Sequence, residues 1–119
     1  MIDKETLKQR FLSDPVPIRL GNLASTLGRI SSTARTSGSV KAVADLLDEA
    51  KHLIEWTAAE TEAHTAAELV QIQRLIVIWQ SIWEDAGDDR PHRTLLATLA
   101  KDWSEKTLDY SGLLNLNYS

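Results

Sequence analysis

The sequence contains no cysteine, which excludes disulfide bonds and metal sites built on thiolates. Chain-breaking residues are scarce, with five glycines and three prolines. No apolar run approaches the roughly 20 residues that a membrane-spanning helix requires. The opening stretch MIDKETLKQRF has no apolar core of the kind found in secretory signals. Together these absences predict a cytoplasmic protein that does not contact a membrane.

What is present fits one folded domain. The chain has 119 residues, of which 43% are hydrophobic and 25% charged, and both fractions are typical of globular proteins. A chain of this length can bury a real core but is too short for two comfortable domains. We therefore expect a single domain over residues 1–119.

Charge is spread unevenly, although the net charge is only −4. Residues 1–41 hold seven lysines and arginines against three acidic residues, whereas residues 42–119 hold six against fourteen. We interpret this asymmetry as attraction between oppositely charged helices of one domain. The alternative is that the basic amino-terminal third binds an anionic ligand.

Apolar residues recur at spacings of three and four in five segments, and no segment alternates strictly enough to predict a strand. The predicted fold is all-α: an up-down four-helix bundle with a short extra N-terminal helix and a docked C-terminal tail. The predicted helices span residues 4–12, 15–36, 40–61, 66–86 and 90–110. We predict that the tail docks because it contains four large apolar side chains: Leu113, Leu114, Leu116 and Tyr118.

Helix ends are read from capping residues. Asp3, Asp14 and Ser39 precede the first three predicted helices, Asp88 or Asp89 precedes the fifth, and Gly112 follows it. The third and fourth helices are the hardest to separate, because residues 57–68 contain neither glycine nor proline. Thr65 with Glu68 has the spacing of a capping box and predicts a turn near residues 60–65. One long helix through this region is the alternative.

The second predicted helix carries a row of small residues: Gly21, Ser25, Gly28 and Ser32. Such a row lets another backbone approach closely, and each glycine costs roughly 1 kcal/mol of helix propensity relative to alanine. We therefore predict a close helix crossing at Gly21 and Gly28. The alternative is a groove for a ligand or a partner helix.

The fourth predicted helix contains RLIVIWQSIW, residues 74–83, in which seven of ten side chains are large and apolar. Its apolar face covers about half the circumference, which is more than a surface helix of a four-helix bundle needs. This excess predicts a homodimer through the fourth helix. The predicted contact residues are Trp79, Trp83, Ile78 and Ile82.

Metal chemistry has a few candidates on helices. Glu49 and His52 have the Glu-x-x-His spacing of di-metal bundles, but the second such pair is missing and both residues lie opposite the predicted apolar seam, toward solvent. Asp45 with Asp48 and Asp102 with Glu105 have the three-residue spacing of carboxylates that hold Mg²⁺ in all-α nucleotide hydrolases. Acidic pairs at this spacing are common on solvated helices, so we expect neither a metal nor any other cofactor.

Other site classes have little support. No phosphate-binding glycine loop or nucleophile elbow is present. Arg19, Arg29 and Arg35 suggest nucleic-acid binding only weakly, because the isoelectric point is near 5.3, and we expect these arginines to be solvated. The predicted function is a small helical module that binds itself or a partner protein helix, and is not an enzyme. The alternative is a Mg²⁺-dependent nucleotide hydrolase that uses the acidic helix pairs.

Overall fold

The computed structural model describes residues 3–36 and 39–113. Within these ranges every element of regular secondary structure is a helix. The prediction of an all-α fold is confirmed at this level. The helices are α1 (Lys4–Leu12), α2 (Val16–Ala34), α3 (Val40–Thr57), α4 (Ala63–Ala86) and α5 (Arg90–Ser111), with a 3-10 turn at Ala58–Glu60. None of the described helices is both long and apolar enough to cross a membrane.

Three of the predicted helix ends are formed as the sequence indicates. The Asp3 side chain accepts a hydrogen bond from the Thr6 amide at 2.8 Å, and Asp89 accepts one from the His92 amide at 3.1 Å. Gly112 ends α5 in the left-handed conformation, with φ +72°, which glycine adopts without the Cβ penalty of other residues. These caps explain why α1 and α5 begin within a residue of the predicted positions.

The predicted cap at Asp14 is wrong, whereas Ser39 does occupy the N-cap position of α3. Asp14 does not cap α2, because Pro15 occupies the N-cap position and makes no side-chain bond there. The Asp14 carbonyl oxygen instead accepts a hydrogen bond from Arg19 Nε at 2.8 Å. Ser39 precedes α3 but its side chain makes no capping bond.

The third and fourth helices are separate, as the turn prediction required. α3 ends at Thr57, and after the 3-10 turn Thr61 is extended with φ −99° and ψ 167°. The break therefore lies slightly earlier than residues 60–65. The capping box is not formed: Thr65 Oγ1 lies 3.5 Å from Glu62 Oε1, and Glu62, not Thr65, is the N-cap of α4.

Helix α2 lies at the centre of the packing. It contacts α5 most extensively and α3 next, α3 contacts α4, and α1 packs on α3, whereas α4 and α5 share few contacts. The fully enclosed large side chains are Leu23, Leu27, Ile30, Val43, Leu47, Ile54, Leu69, Ile76 and Leu96. Each main helix therefore supplies one stripe of its surface to a single core.

The close approach of α2 and α5 occurs where small side chains meet. A Cβ atom on Gly28 would lie 3.4 Å from Ser104 Oγ of α5. Ser104 Oγ donates a hydrogen bond to the Ala24 carbonyl at 2.7 Å, and Ser31 Oγ donates one to the Ala97 carbonyl at the same distance. Serine hydroxyls that reach the backbone of the opposite helix require this short separation.

The rest of the predicted small-residue row behaves differently. Ser25 and Ser32 are exposed and take no part in the crossing. A Cβ atom on Gly21 would lie 2.9 Å from Leu113 Cδ1, so the beginning of the predicted tail does pack on α2. The other tail residues of that prediction, Leu114, Leu116 and Tyr118, lie outside the described residues.

Candidate functional site

The two tryptophans of α4 lie inside their own subunit. Trp79 is 6% exposed and Trp83 is 2% exposed. Their rings meet edge to face with centroids 6.4 Å apart, and Trp83 Nε1 donates a hydrogen bond to the Val40 carbonyl at 2.9 Å. Because their surfaces are already covered by their own subunit, Trp79 and Trp83 are core residues. This corrects the prediction that they are contact residues of a dimer.

The exposed apolar residues of α4 lie on its other side. Ile78 is 56% exposed, Val77 48%, and both Val70 and Ile82 38%. Spacings of seven, one and four residues place these four on one face of a helix, within about 140° of one another at 100° per residue. We call Val70, Val77, Ile78 and Ile82 the α4 surface. The sequence prediction included Ile78 and Ile82 but omitted the two valines.

The α4 surface borders a cleft between α4 and α3. Toward α3, Val77 and Ile78 line an open cleft of about 630 Å³ together with His52 and Gln73; Gln73 Nε2 donates a hydrogen bond to the Lys51 carbonyl at 3.1 Å there. On α5, Leu95 is 51% exposed. Apolar surface of this kind, rimmed by polar residues, is typical of protein contact sites.

Glu49 and His52 do not point to solvent, which corrects the sequence interpretation. Both are half-buried. The Glu49 carboxylate accepts hydrogen bonds from Thr26 Oγ1 at 2.9 Å and from Arg29 Nη2 at 3.3 Å. Glu49 therefore joins α3 to α2, and a carboxylate engaged in this way is not aligned with His52 for a metal.

His52 lies between α1 and α3. Its Nδ1 lies 2.8 Å from the Asp48 carbonyl oxygen, so Nδ1 must carry the proton that is donated. Nε2 of the neutral ring is then the acceptor for Lys4 Nζ at 3.2 Å. The ring also lies against Trp56, with centroids 5.8 Å apart. Both ring nitrogens are thus occupied: the Nδ1 bond orients the ring within α3, and the Nε2 bond to Lys4 joins α1 to α3.

The two acidic pairs are not brought together. Asp45 and Asp48 belong to α3, where Asp45 pairs with Lys41 at 2.9 Å and Asp48 lies near Lys4 and Lys51. Asp102 and the exposed Glu105 belong to α5, and Asp102 pairs with Lys106 at 3.2 Å, which raises the pKa of that lysine. Over residues 3–36 and 39–113, no three His, Asp or Glu side chains are grouped so that they could hold a metal ion.

The arginines of α2 are not all solvated, contrary to the sequence expectation. Arg19 is buried, and its guanidinium donates to both oxygens of Glu60, at 2.7 and 3.3 Å. This contact holds the pKa of the Glu60 carboxyl below its usual value. Arg29 pairs with Glu49 but remains exposed, and Arg35 is exposed as well, so Arg19 is the one of the three that departs from the expectation.

Arg93 is the residue that sequence reasoning missed. It is 8% exposed, and its guanidinium donates to the carbonyls of Ala34 at 2.9 Å, Gly87 at 2.6 Å and Thr33 at 3.3 Å, and also to that of Thr36. It also lies over the Trp83 ring, 5.8 Å from the centroid, a cation–π distance. The sequence signal was an arginine four residues after the N-cap Asp89, which is also typical of exposed positions.

Comparison with known proteins gives no assignment: no family model matches the chain, nor does any curated protein or solved structure.

Proposed function

We propose that this protein is a small helical module that forms a homodimer through the α4 surface. The observation that carries the proposal is the exposure of Val70, Val77, Ile78 and Ile82 on one face of one helix. A scattered exposed apolar side chain needs no explanation, but four that share one helix face are a typical contact surface.

Self-association is favoured by the charges around this surface. Arg74 is exposed on the same helix face as the α4 surface, between Val70 and Val77 along the chain. Glu84 and Asp85 are exposed at the carboxy-terminal end of the same helix. In a two-fold symmetric dimer each surface meets its own copy. Antiparallel pairing centred near Ile78 brings Arg74 of one protomer toward the acidic end of the partner helix, so unlike charges flank the apolar centre.

The test is the mass of the protein in solution. We expect light scattering to give twice 13.3 kDa for the wild type and a monomer for Ile78→Asp, because a buried unpaired carboxylate opposes association. Ile18→Asp is the matched control: Ile18 is 39% exposed on α2, away from the α4 surface, and its variant should remain a dimer. Far-ultraviolet circular dichroism should be equal for all three proteins.

A wild type that stays monomeric at every concentration overturns self-association, as does a dimer that persists in Ile78→Asp. A monomer that instead binds an added amphipathic helix, with loss of binding in Ile78→Asp, would assign the same surface to a partner protein helix. We place this activity in the cytoplasm, since a chain without cysteine needs no oxidising compartment to fold.

The helix arrangement that supports this module is, we propose, the up-down four-helix bundle with α1 as an accessory helix. Support comes from two contacts between each pair of neighbouring helices. In every case the residue numbers rise along one helix as they fall along the other, which is the pattern of antiparallel helices. The pairs are Arg19–Glu60 and Arg29–Glu49 between α2 and α3, Gln73–Lys51 and Trp83–Val40 between α3 and α4, and Ser31–Ala97 and Ser104–Ala24 between α2 and α5. Nuclear Overhauser contacts within these pairs would test the arrangement.

No observation favours the alternative of a nucleotide hydrolase. Its two acidic pairs lie on different helices, α3 and α5, each of which packs against α2. In addition, the lysine partners of Asp45 and Asp102 compete with a cation for their carboxylates.

A further inference from the structure

We propose that a cleft between the end of α2 and the start of α5 binds the phosphate group of a small polar molecule. The cleft has a volume of about 390 Å³ and is lined by Ala34, Arg35, Asp88, Arg90, Arg93 and Thr94. Three of these side chains are arginines and one is acidic, so the lining is cationic in a protein whose net charge is −4. This proposal does not depend on the dimer proposed above.

The first step concerns the buried charge. Arg93 is more than nine-tenths buried, and all of its acceptors in the described part of the chain are backbone carbonyls. No carboxylate within residues 3–36 and 39–113 forms an ion pair with it. A buried cation without an anion is costly, and an anionic ligand in the adjoining cleft would lower that cost.

The second step concerns the donors that remain. A guanidinium has five N–H donors, and the carbonyls of Ala34, Gly87, Thr33 and Thr36 accept four of those of Arg93. Gly87 accepts only one of the two hydrogens on Nη1. Among the described residues nothing accepts the other, although the side chain lines the cleft.

The third step concerns the mouth of the cleft. Arg35 and Arg90 are exposed, and neither forms an ion pair with a residue in the described ranges. This differs from Arg19 and Arg29, which are each paired with a glutamate. Planar guanidinium groups bind phosphate oxygens with two parallel hydrogen bonds, which is the geometry that free arginines at a cleft offer. The Thr94 hydroxyl adds a neutral donor.

The ligand class follows from the size and lining of the cleft. Its volume is within the range of small-molecule sites, about 300–1,000 Å³, so it has room for more than the phosphate itself. Among residues 3–36 and 39–113 no aromatic side chain lines it, so a base that requires stacking is disfavoured. A sugar phosphate fits this combination of cations, a hydroxyl and no aromatic wall.

Asp88 is the opposing charge and supplies a directional test. It lines the same cleft and would repel a phosphate. Removing its charge should therefore strengthen binding, whereas removing Arg35 or Arg90 should weaken it. A merely structural role for these exposed residues would not produce opposite effects on one ligand.

Calorimetric titration with inorganic phosphate and with a pentose 5-phosphate, at low ionic strength, tests the proposal. We expect saturable binding to one site per chain, weakened about tenfold in Arg35→Gln and in Arg90→Gln, as expected for loss of a charge-assisted hydrogen bond. Asp88→Asn should bind more tightly. Arg10→Gln is the control, because Arg10 is an exposed arginine of α1 outside the cleft, and it should bind as the wild type does.

The proposal is overturned if neither probe binds saturably, if Arg35→Gln and Arg90→Gln bind as tightly as the wild type, or if Arg10→Gln weakens binding to the same extent. The last result would show attraction to surface charge in general. Binding of the pentose phosphate but not of phosphate alone would support the proposal and show that the sugar contributes. Equal binding of both would support a site for the phosphate group only.

Discussion

Nε of Arg93 on α5 donates a hydrogen bond to the carbonyl oxygen of Ala34, the last residue of α2, at 2.9 Å. The last carbonyls of a helix have no partner within the helix itself. The same guanidinium also reaches the carbonyls of Thr33 and Thr36, and that of Gly87 just after α4. One buried side chain therefore satisfies the ends of two helices and joins them to a third.

Replacement of Arg93 should accordingly be among the most destabilising single changes in this protein. We expect Arg93→Ala to lower the free energy of unfolding by about 3–5 kcal/mol, because several buried carbonyls lose their donor and a cavity forms over Trp83. Arg93→Lys should cost less, since the ammonium satisfies some of the carbonyls. Urea denaturation followed by circular dichroism measures both.

Arg90→Ala is the control for this comparison. Arg90 begins the same helix but is exposed, so its loss should change the free energy of unfolding by less than about 0.5 kcal/mol. Equal effects of Arg93→Ala and Arg90→Ala would contradict the role of Arg93 as a buried connector.

The two buried tryptophans of α4 should differ in what their replacement costs. Trp83→Phe removes the hydrogen bond to the Val40 carbonyl and leaves that acceptor without its donor, whereas in the described structure Trp79 Nε1 has no such bond to lose. Both changes reduce volume in the core. We expect Trp83→Phe to cost about 2–3 kcal/mol and Trp79→Phe about 1 kcal/mol less.

Thermal or urea unfolding of the two variants is the measurement. If Trp79→Phe proved the more damaging, the hydrogen bond to α3 would be unimportant, and the packing around Trp79 and His92, whose rings lie 6.5 Å apart, would be the stronger contribution.

Gly28 gives a test of how close α2 and α5 really are. A Cβ atom added to Gly28 would lie 3.4 Å from Ser104 Oγ, an ordinary van der Waals contact, so a methyl group fits without displacing α5. Gly28→Ala should therefore stabilise the protein by about 0.5–1 kcal/mol through improved helix propensity. Gly28→Leu should destabilise it by about 1–3 kcal/mol, because the larger side chain overpacks the crossing.

Differential scanning calorimetry of the two variants measures these changes in stability. A destabilising Gly28→Ala would mean that the crossing needs glycine itself, as the sequence pattern suggested. A neutral Gly28→Leu would mean that the helices separate easily at this point.

The number of helices and the limits of α1 and α5 could be predicted because their signals are local, whereas the end of α3 and the start of α4 differ by three or four residues from the prediction. Spacings of three and four depend only on neighbours along the chain, and Asp3, Asp89 and Gly112 act within one turn of the helix end that they mark. The predicted cap at Asp14 failed because several residues before a helix can serve as its N-cap, and the backbone conformation decides among them. Ser39 is the N-cap of α3, but its side chain makes no capping bond.

Which side of α4 is covered could not be predicted from periodicity. The apolar residues surround half of the helix, and the cited neighbours of Trp79 and Trp83 lie on other helices: Val40 on α3 and His92 on α5. The burial of Arg93 was hidden for the same reason. Its acceptors are backbone carbonyls of residues about 60 positions away, and a carbonyl carries no signature in the amino-acid sequence.

The contact between Arg19 and Glu60 should make stability depend on pH. The pKa of the Glu60 carboxyl is lowered from its usual value of 4.5, mainly by the hydrogen bond from the Arg19 guanidinium and then by its charge. A carboxyl whose pKa is lower in the folded state stabilises that state above the unfolded pKa and loses this effect as pH falls through the folded pKa. Glu60→Gln should therefore be less stable than the wild type near pH 7, and the difference should shrink as the pH falls below 4.5.

Urea midpoints across this range measure the difference, with Glu105→Gln as the control, since Glu105 forms no ion pair with a described residue. A gap between wild type and Glu60→Gln that stayed constant with pH would show that the carboxylate charge contributes nothing and that Arg19 is held by its bond to the Asp14 carbonyl alone.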